Sequence, residues 1–203
     1  MSKPKKVFPV HFDEFFDSMQ GESHRGCVLI GCHVLDIALQ LRIRSCFVRR
    51  RPVLRRAIIP LFEPTRPLSS FWAKIQLAYA LNQLDDWAYE DLETIRGIRN
   101  SLAHSHGSFS FDAPETQQLL YHLQSPRRCF GDGDSRMWSL PRTLLRCQAV
   151  VEEFSPNVKS LNESFFLTGF HYLHGYLTKG IAYKKTRRLL ADPLAVAAPH
   201  PDR

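Results

Sequence analysis

The strongest constraint on this chain is a recurrence of apolar residues every three or four positions, in several separate stretches, with almost none of the alternation a half-buried strand requires. Val28, Cys32, Leu35, Leu39, Ile43 and Cys46 trace one such stripe over about residues 23–47. Ala88, Leu92, Ile95, Ile98 and Leu102 trace another, between the capping candidates Asp85 and Asp86 and a stop at Gly107. A stripe of this period must be buried against other helices. The pattern therefore predicts an all-α fold: a single-domain antiparallel bundle of about six to seven helices.

The remaining elements follow from the same signals. A short helix is expected over 11–20 with Phe12, Phe15 and Phe16 on its apolar side, and a turn within Val53–Phe62. A helix starting at Ser69 or Ser70 carries Phe71, Ile75, Ala78, Tyr79 and Leu81 to about Leu84. Pro114 opens another, which ends near Ser125-Pro126. Residues 126–141 read as a loop, 142–154 as a helix, and about 160–190 as a long final helix with Leu161, Phe165, Leu173, Leu177 and Ile181 inward. The helical domain is expected over 11–190, between a flexible N-terminus (1–10) and a loose, disordered tail (191–203).

Composition restricts the function classes. With 203 residues, 44% hydrophobic and 23% charged, the chain suits one globular domain. Met1–Val10 lacks the apolar run of a signal peptide, and His171, His174 and Lys179 interrupt Phe165–Tyr183. No membrane span is expected. Five cysteines without a CxxC pair fit a reducing, cytoplasmic setting. His24, Cys27, Cys32 and His33 do not share one helix face, and His171 with His174 has no accompanying carboxylates, so neither a metal site nor a cofactor is expected.

The net charge of +7 has an address. Arg42, Arg44, Arg49, Arg50, Arg51, Arg55 and Arg56 lie within 41–56, a segment with no acid, and the rest of the chain balances. Such a patch can attract nucleic acid or an acidic partner, and a cationic helix end is its structural counterpart. Phe47 is the one aromatic among these arginines, a thin stacking platform for bases.

Ile98-Arg99-Asn100-Ser101-Leu102-Ala103-His104 is the segment with the sharpest alternatives. The helical wheel places Arg99 on the apolar stripe, with Asn100 and His104 on a flank behind Arg96. As a structural clamp, Arg99 would pair with a carboxylate such as Asp36, Glu90 or Glu93. As a catalytic set, His104 would move a proton during metal-independent RNA cleavage. Arg99 would stabilise phosphate charge, and Asn100 would orient one of them. The Arg-x4-His spacing by itself is what chance supplies in a chain of this composition.

Three ordered blocks carry a resemblance. They are Arg25-Gly26 with Leu35-Asp36; Pro67-Leu68-Ser69-Ser70-Phe71 with Lys74-Ile75 and Ala78-Tyr79-Ala80-Leu81; and Tyr89-Glu90-Asp91-Leu92 leading to Ile95-Arg96, Ile98-Arg99-Asn100 and Ala103-His104. With Phe109–Asp112 they resemble the mannitol operon repressor (MltR-like) family over roughly 12–123. The resemblance implies an all-helical transcriptional regulator that self-associates, expected as a homodimer, and acts through a protein partner without a recognisable DNA-reading motif. Arg99, Asn100 and His104 also resemble the R-x4-6-H signature of the HEPN superfamily, which includes ribonucleases that pair two motifs across a dimer. The leading expectation is a non-enzymatic regulator acting through protein contacts. The alternative is a HEPN-like ribonuclease.

Overall fold

The computed structural model describes residues 19, 21–47, 56–104, 109–130, 140–154, 158 and 160–179. Every regular element among them is helical. Helix α1 spans His24–Cys46, followed by a 3-10 turn at Ile59–Phe62, α2 at Phe71–Ala80 and α3 at Asp86–His104. Short helices α4 (Pro114–Leu120) and α5 (Ser125–Arg128) lead to α6 (Leu140–Phe154) and α7 (Leu161–Thr178).

The helix starts are written in capping residues. Ser23 Oγ accepts from the Gly26 N–H at 3.0 Å, Ser70 Oγ from the Ala73 N–H at 3.1 Å, and Ser160 Oγ from the Glu163 N–H at 3.2 Å. Each satisfies one of the free donors of a first turn. Helix α2 stops at Ala80, earlier than the expected Leu84, because Asn82 takes a left-handed conformation (φ 54°) and reverses the chain. The segment expected to be helical up to Ser125 ends at Leu120. Ser125–Arg128 is a separate turn, so the expected 126–141 loop begins inside α5.

Helix α7 is the hub, packed against α1, α5 and α6, while α1 also holds α2 and α3. From Asn162 to His171 every residue of α7 is buried, so this stretch has no solvent side. The α1–α7 crossing is close: a Cβ added at Gly31 would stand 2.5 Å from the Phe170 ring. Helix α1 is also the one described helix long and apolar enough to cross a membrane, and half of its most apolar window is buried inside the bundle.

The stripes predicted for α1 and α3 are buried, apart from Cys46, which is exposed at the end of α1. Phe71, Ile75 and Ala78 face inward on α2, whereas Tyr79 and Leu81 are both 40% exposed. Leu161, expected to face inward, is 37% exposed as the first residue of α7, although Asn162, Glu163 and Ser164 of the same turn are buried. The expected helix over 11–20 (Met19 apart), the flexible N-terminus, the end of the final helix past Lys179 and the tail at 191–203 all lie outside the described residues.

Two predictions follow from this packing. Gly31→Ala is expected to destabilise by about 1–3 kcal/mol, because the methyl group must displace a ring locked in the core. Gly97→Ala, where a Cβ meets nothing within 4 Å, should be neutral or stabilise by up to about 1 kcal/mol through helix propensity; urea unfolding of both separates close packing from propensity. The second prediction concerns His171. Burial, with a smaller contribution from the charge of nearby His174, pushes its imidazole down from 6.5 to about 3. Between those values the unfolded chain binds a proton that the folded one does not, so stability falls as pH drops below 6.5, by up to about 1.4 kcal/mol per unit. His171→Leu should flatten that dependence in unfolding curves measured from pH 7 to pH 4.

Candidate functional site

Helix α3 buries Trp87, Ala88, Asp91, Leu92, Ile95, Ile98 and Leu102, and it ends on the segment that sequence reading singled out. Arg99 and Asn100 are both exposed there. His104 closes the helix, and its side chain lies outside what is described. Arg99 is near enough to α1 for its charge to act on the Cys32 thiol. It is not the buried clamp that the wheel suggested. The middle of the observed stripe lies about 60° from Arg99, which leaves that side chain at the rim in the last turns of the helix.

Asp36 instead pairs with a lysine. Lys74 on α2 is 3% exposed, and its ammonium donates to both Asp36 oxygens at 2.7 and 2.8 Å. Asp36 keeps about a quarter of its side-chain surface in water. A buried ammonium needs this compensation. Lys74 sits between Phe71 and Ala78 on an apolar stripe, the same sequence signal that drew attention to Arg99.

The arginine segment is described only at its edges. Arg42 donates from Nη1 to the Lys179 carbonyl at 3.1 Å, tying the end of α1 to the end of α7. Arg44 is half-buried and Arg56 exposed, while Arg49, Arg50, Arg51 and Arg55 lie outside the described residues.

Sequence reading did not single out three polar groups that hold the bundle together. Asp91, 1% exposed, accepts from the Gln124 N–H at 2.8 Å and the Ser125 N–H at 2.7 Å, so a carboxylate on α3 caps the start of α5. Burial raises its pKa, against the lowering effect of these hydrogen bonds and of Arg128. The Phe111 N–H donates to His24 Nδ1 at 3.1 Å, leaving His24 Nε2 3.6 Å from the buried Glu163 carboxylate. Glu163 also receives the Cys27 thiol at 3.8 Å. Tyr121 donates to Asn162, which donates to Asp112, each at 2.8 Å. The first two groups join the 109–125 segment or α7 to earlier helices and the third joins that segment to α7, pairings that a one-dimensional pattern does not encode.

Burial pushes the Cys32, Cys129 and Cys147 thiols up to about 12, so none of them is a thiolate nucleophile at neutral pH. Among the described residues no three His, Cys, Asp or Glu side chains converge with a geometry that could hold a metal ion.

The outward side of α2 and α3 is of another kind. Trp72 is 52% exposed, and Tyr79 stacks on Tyr89 with ring centroids 4.3 Å apart. Tyr79 donates to Asp86 at 2.9 Å. The Gln76 amide reaches Tyr89 Oη at 3.1 Å and Glu93 at 3.3 Å, and Glu93 receives Arg96 at 2.7 Å. The result is an ordered aromatic and polar surface built by two adjacent helices.

The profile of a family described as mannitol repressor (MtlR) matches residues 14–130, more than half of the chain. The chain belongs to the mannitol repressor family. Within the MtlR family, it is 24% identical over 95 residues to the mannitol operon repressors of two Escherichia coli strains, K12 and CFT073. The aligned part is 47% of this chain and 49% of theirs, so the chain spans about half the length of the curated relatives it matches. Its fold is similar to a chain of the MtlR–HPr complex from Escherichia coli (TM-score 0.61, 16% identity, covering 82% of this chain and 98% of that one). It is also similar to a possible transcriptional regulator, YggD, from Shigella flexneri (TM-score 0.64, 17% identity, 83% and 99% covered). The MtlR match runs through α1 to α5 and takes in Asp36, Lys74, Asp91 and the whole α2–α3 surface.

The site geometry predicts opposite outcomes for two charges. Asp36→Ala strands the buried Lys74 ammonium and should cost about 3 kcal/mol, the low end for a broken buried pair because Asp36 is partly solvated. Arg99→Ala should change stability by less than about 0.5 kcal/mol, as for an ordinary surface position. Thermal and denaturant unfolding of the two variants checks the contrast.

Proposed function

We propose that this protein regulates transcription through protein–protein contacts, with a protein of the HPr kind as its partner. The observation that carries this reading is membership of the mannitol repressor family over residues 14–130. It is supported by the likeness of fold to a chain from the MtlR–HPr complex. An ordered aromatic surface on the matched helices gives such contacts a physical basis, since buried aromatic anchors dominate the energetics of protein interfaces. Self-association as a homodimer and a cytoplasmic location belong to the same proposal.

One observation favours a second reading. Arg99 and Asn100 are exposed, which a residue that meets a phosphate requires and a buried clamp does not. In that reading Arg99, Asn100 and His104 form a composite site for RNA cleavage.

The deciding experiment titrates the full chain with Escherichia coli HPr by calorimetry, and incubates the same preparation with mixed RNA. Saturable binding without cleavage is the expected result. RNA cleavage that disappears in His104→Ala and in Arg99→Ala would establish the second reading instead. Failure to bind HPr would remove that partner from the first.

A further inference from the structure

We infer that the outward face of α2 and α3 is a docking surface for a protein that presents lysine and arginine side chains around an apolar centre. This rests on the reading that the chain acts through a protein partner, and it names the place and the chemistry of the contact.

Trp72 and Tyr79 supply the apolar centre. Both are large side chains left substantially in water, although the α2 positions facing the other way are fully used in the core. They stand on the same side of the helix as Gln76, which lies one turn from each. The surroundings of Tyr79 are already ordered. The Tyr79 ring is held between Tyr89 and the hydrogen bond to Asp86, and Tyr89 is held in turn by Gln76. Fixing such rings on binding costs little further conformational entropy, the property that makes aromatic anchors effective.

Charge decides the occupant. Among the described residues, the carboxylates of Asp86, Glu90 and Glu93 stand around the rings, and the guanidinium of Arg96 is already engaged by Glu93. Glu90 is exposed, and its charge is felt at the Tyr79 hydroxyl. This face is therefore acidic on a protein whose net charge is +7. It repels phosphates, which excludes nucleic acid here, and it attracts a cationic protein surface. Among the described residues, the exposed Glu90 carboxylate accepts a hydrogen bond from the neutral Gln124 amide at 2.7 Å.

The test is calorimetric titration of the full chain with Escherichia coli HPr, for the wild type, Trp72→Ala, Glu90→Lys and the control Leu145→Ala. Leu145 is 61% exposed on α6, a helix outside the proposed face. Trp72→Ala and Glu90→Lys are each expected to weaken binding about tenfold or more. Leu145→Ala should leave affinity unchanged, and wild-type affinity should fall as salt is raised. Trp72 and Glu90 are exposed, so circular dichroism and melting temperature should match the wild type in both variants. If HPr binds and neither substitution weakens it, the docking surface is elsewhere and this inference fails, while the protein-contact reading stands. If HPr does not bind the wild type at all, that reading loses its partner and the assignment falls with it. Light scattering that shows an oligomer dissociated by Trp72→Ala would give the face to a second copy of the chain, which also overturns the inference.

Discussion

The structure depends on the complete burial of the first half of α7. A helix with no solvent side must be covered all round, and α1, α5 and α6 are the cover. The sequence of that half-helix is not simply apolar. Asn162, Glu163, Ser164, Thr168 and His171 are buried along with Phe165, Phe166 and Phe170. Each buried polar group has to be met by a partner, which is more directional than hydrophobic contact. Ser164 and Thr168 solve this within the helix, through bonds to the carbonyls four residues back. Asn162 and Glu163 instead recruit Asp112, Tyr121, His24 and Cys27. The polar residues at the start of α7 thereby fix the register of α1 and of the 109–121 segment against it.

Much of this architecture was legible because helical period, serine caps and the Pro114 start are local signals. Their outcome is decided within a few residues of chain, and α1, α2 and α3 begin where those signals put them. What was not legible depended on where neighbouring helices lie. Arg99 and Lys74 make the point as a pair. Each stands about 60° from the middle of its apolar stripe, so the wheel treats them alike. Lys74 faces α1 at Asp36 and is buried, while Arg99 is exposed although Ile98 and Leu102 on either side of it along α3 are buried. The wheel pointed Arg99 at a carboxylate such as Asp36, whereas Asp36 pairs with Lys74, because a wheel gives an angle and no information about which helix stands opposite.

The same limit applies to Tyr79 and Leu81. Both continue an apolar pattern that the structure uses only as far as Ala78, where Asn82 turns the chain back. That early turn has a consequence for function. It brings α3 back antiparallel beside α2, so that Gln76 and Tyr79 meet Glu93, Tyr89 and Asp86 in reverse order along the two helices. Tyr79, at the end of α2, thereby becomes part of an outward surface.

Exposed aromatic rings in water carry a penalty, and an unordered surface would let them fold back onto the helix. Here the stack of Tyr79 on Tyr89, the hydrogen bond to Asp86 and the chain from Gln76 through Glu93 to Arg96 hold the rings outward. Fixing one rotamer-rich side chain costs about 0.5–1.5 kcal/mol, so these intramolecular bonds meet in advance what a partner would otherwise have to supply. The bonds also set the sign of the surface, because the acceptors that order the rings are carboxylates. Order and negative charge therefore arise from the same residues, and losing one of those carboxylates would loosen the rings as well as weaken the field they sit in.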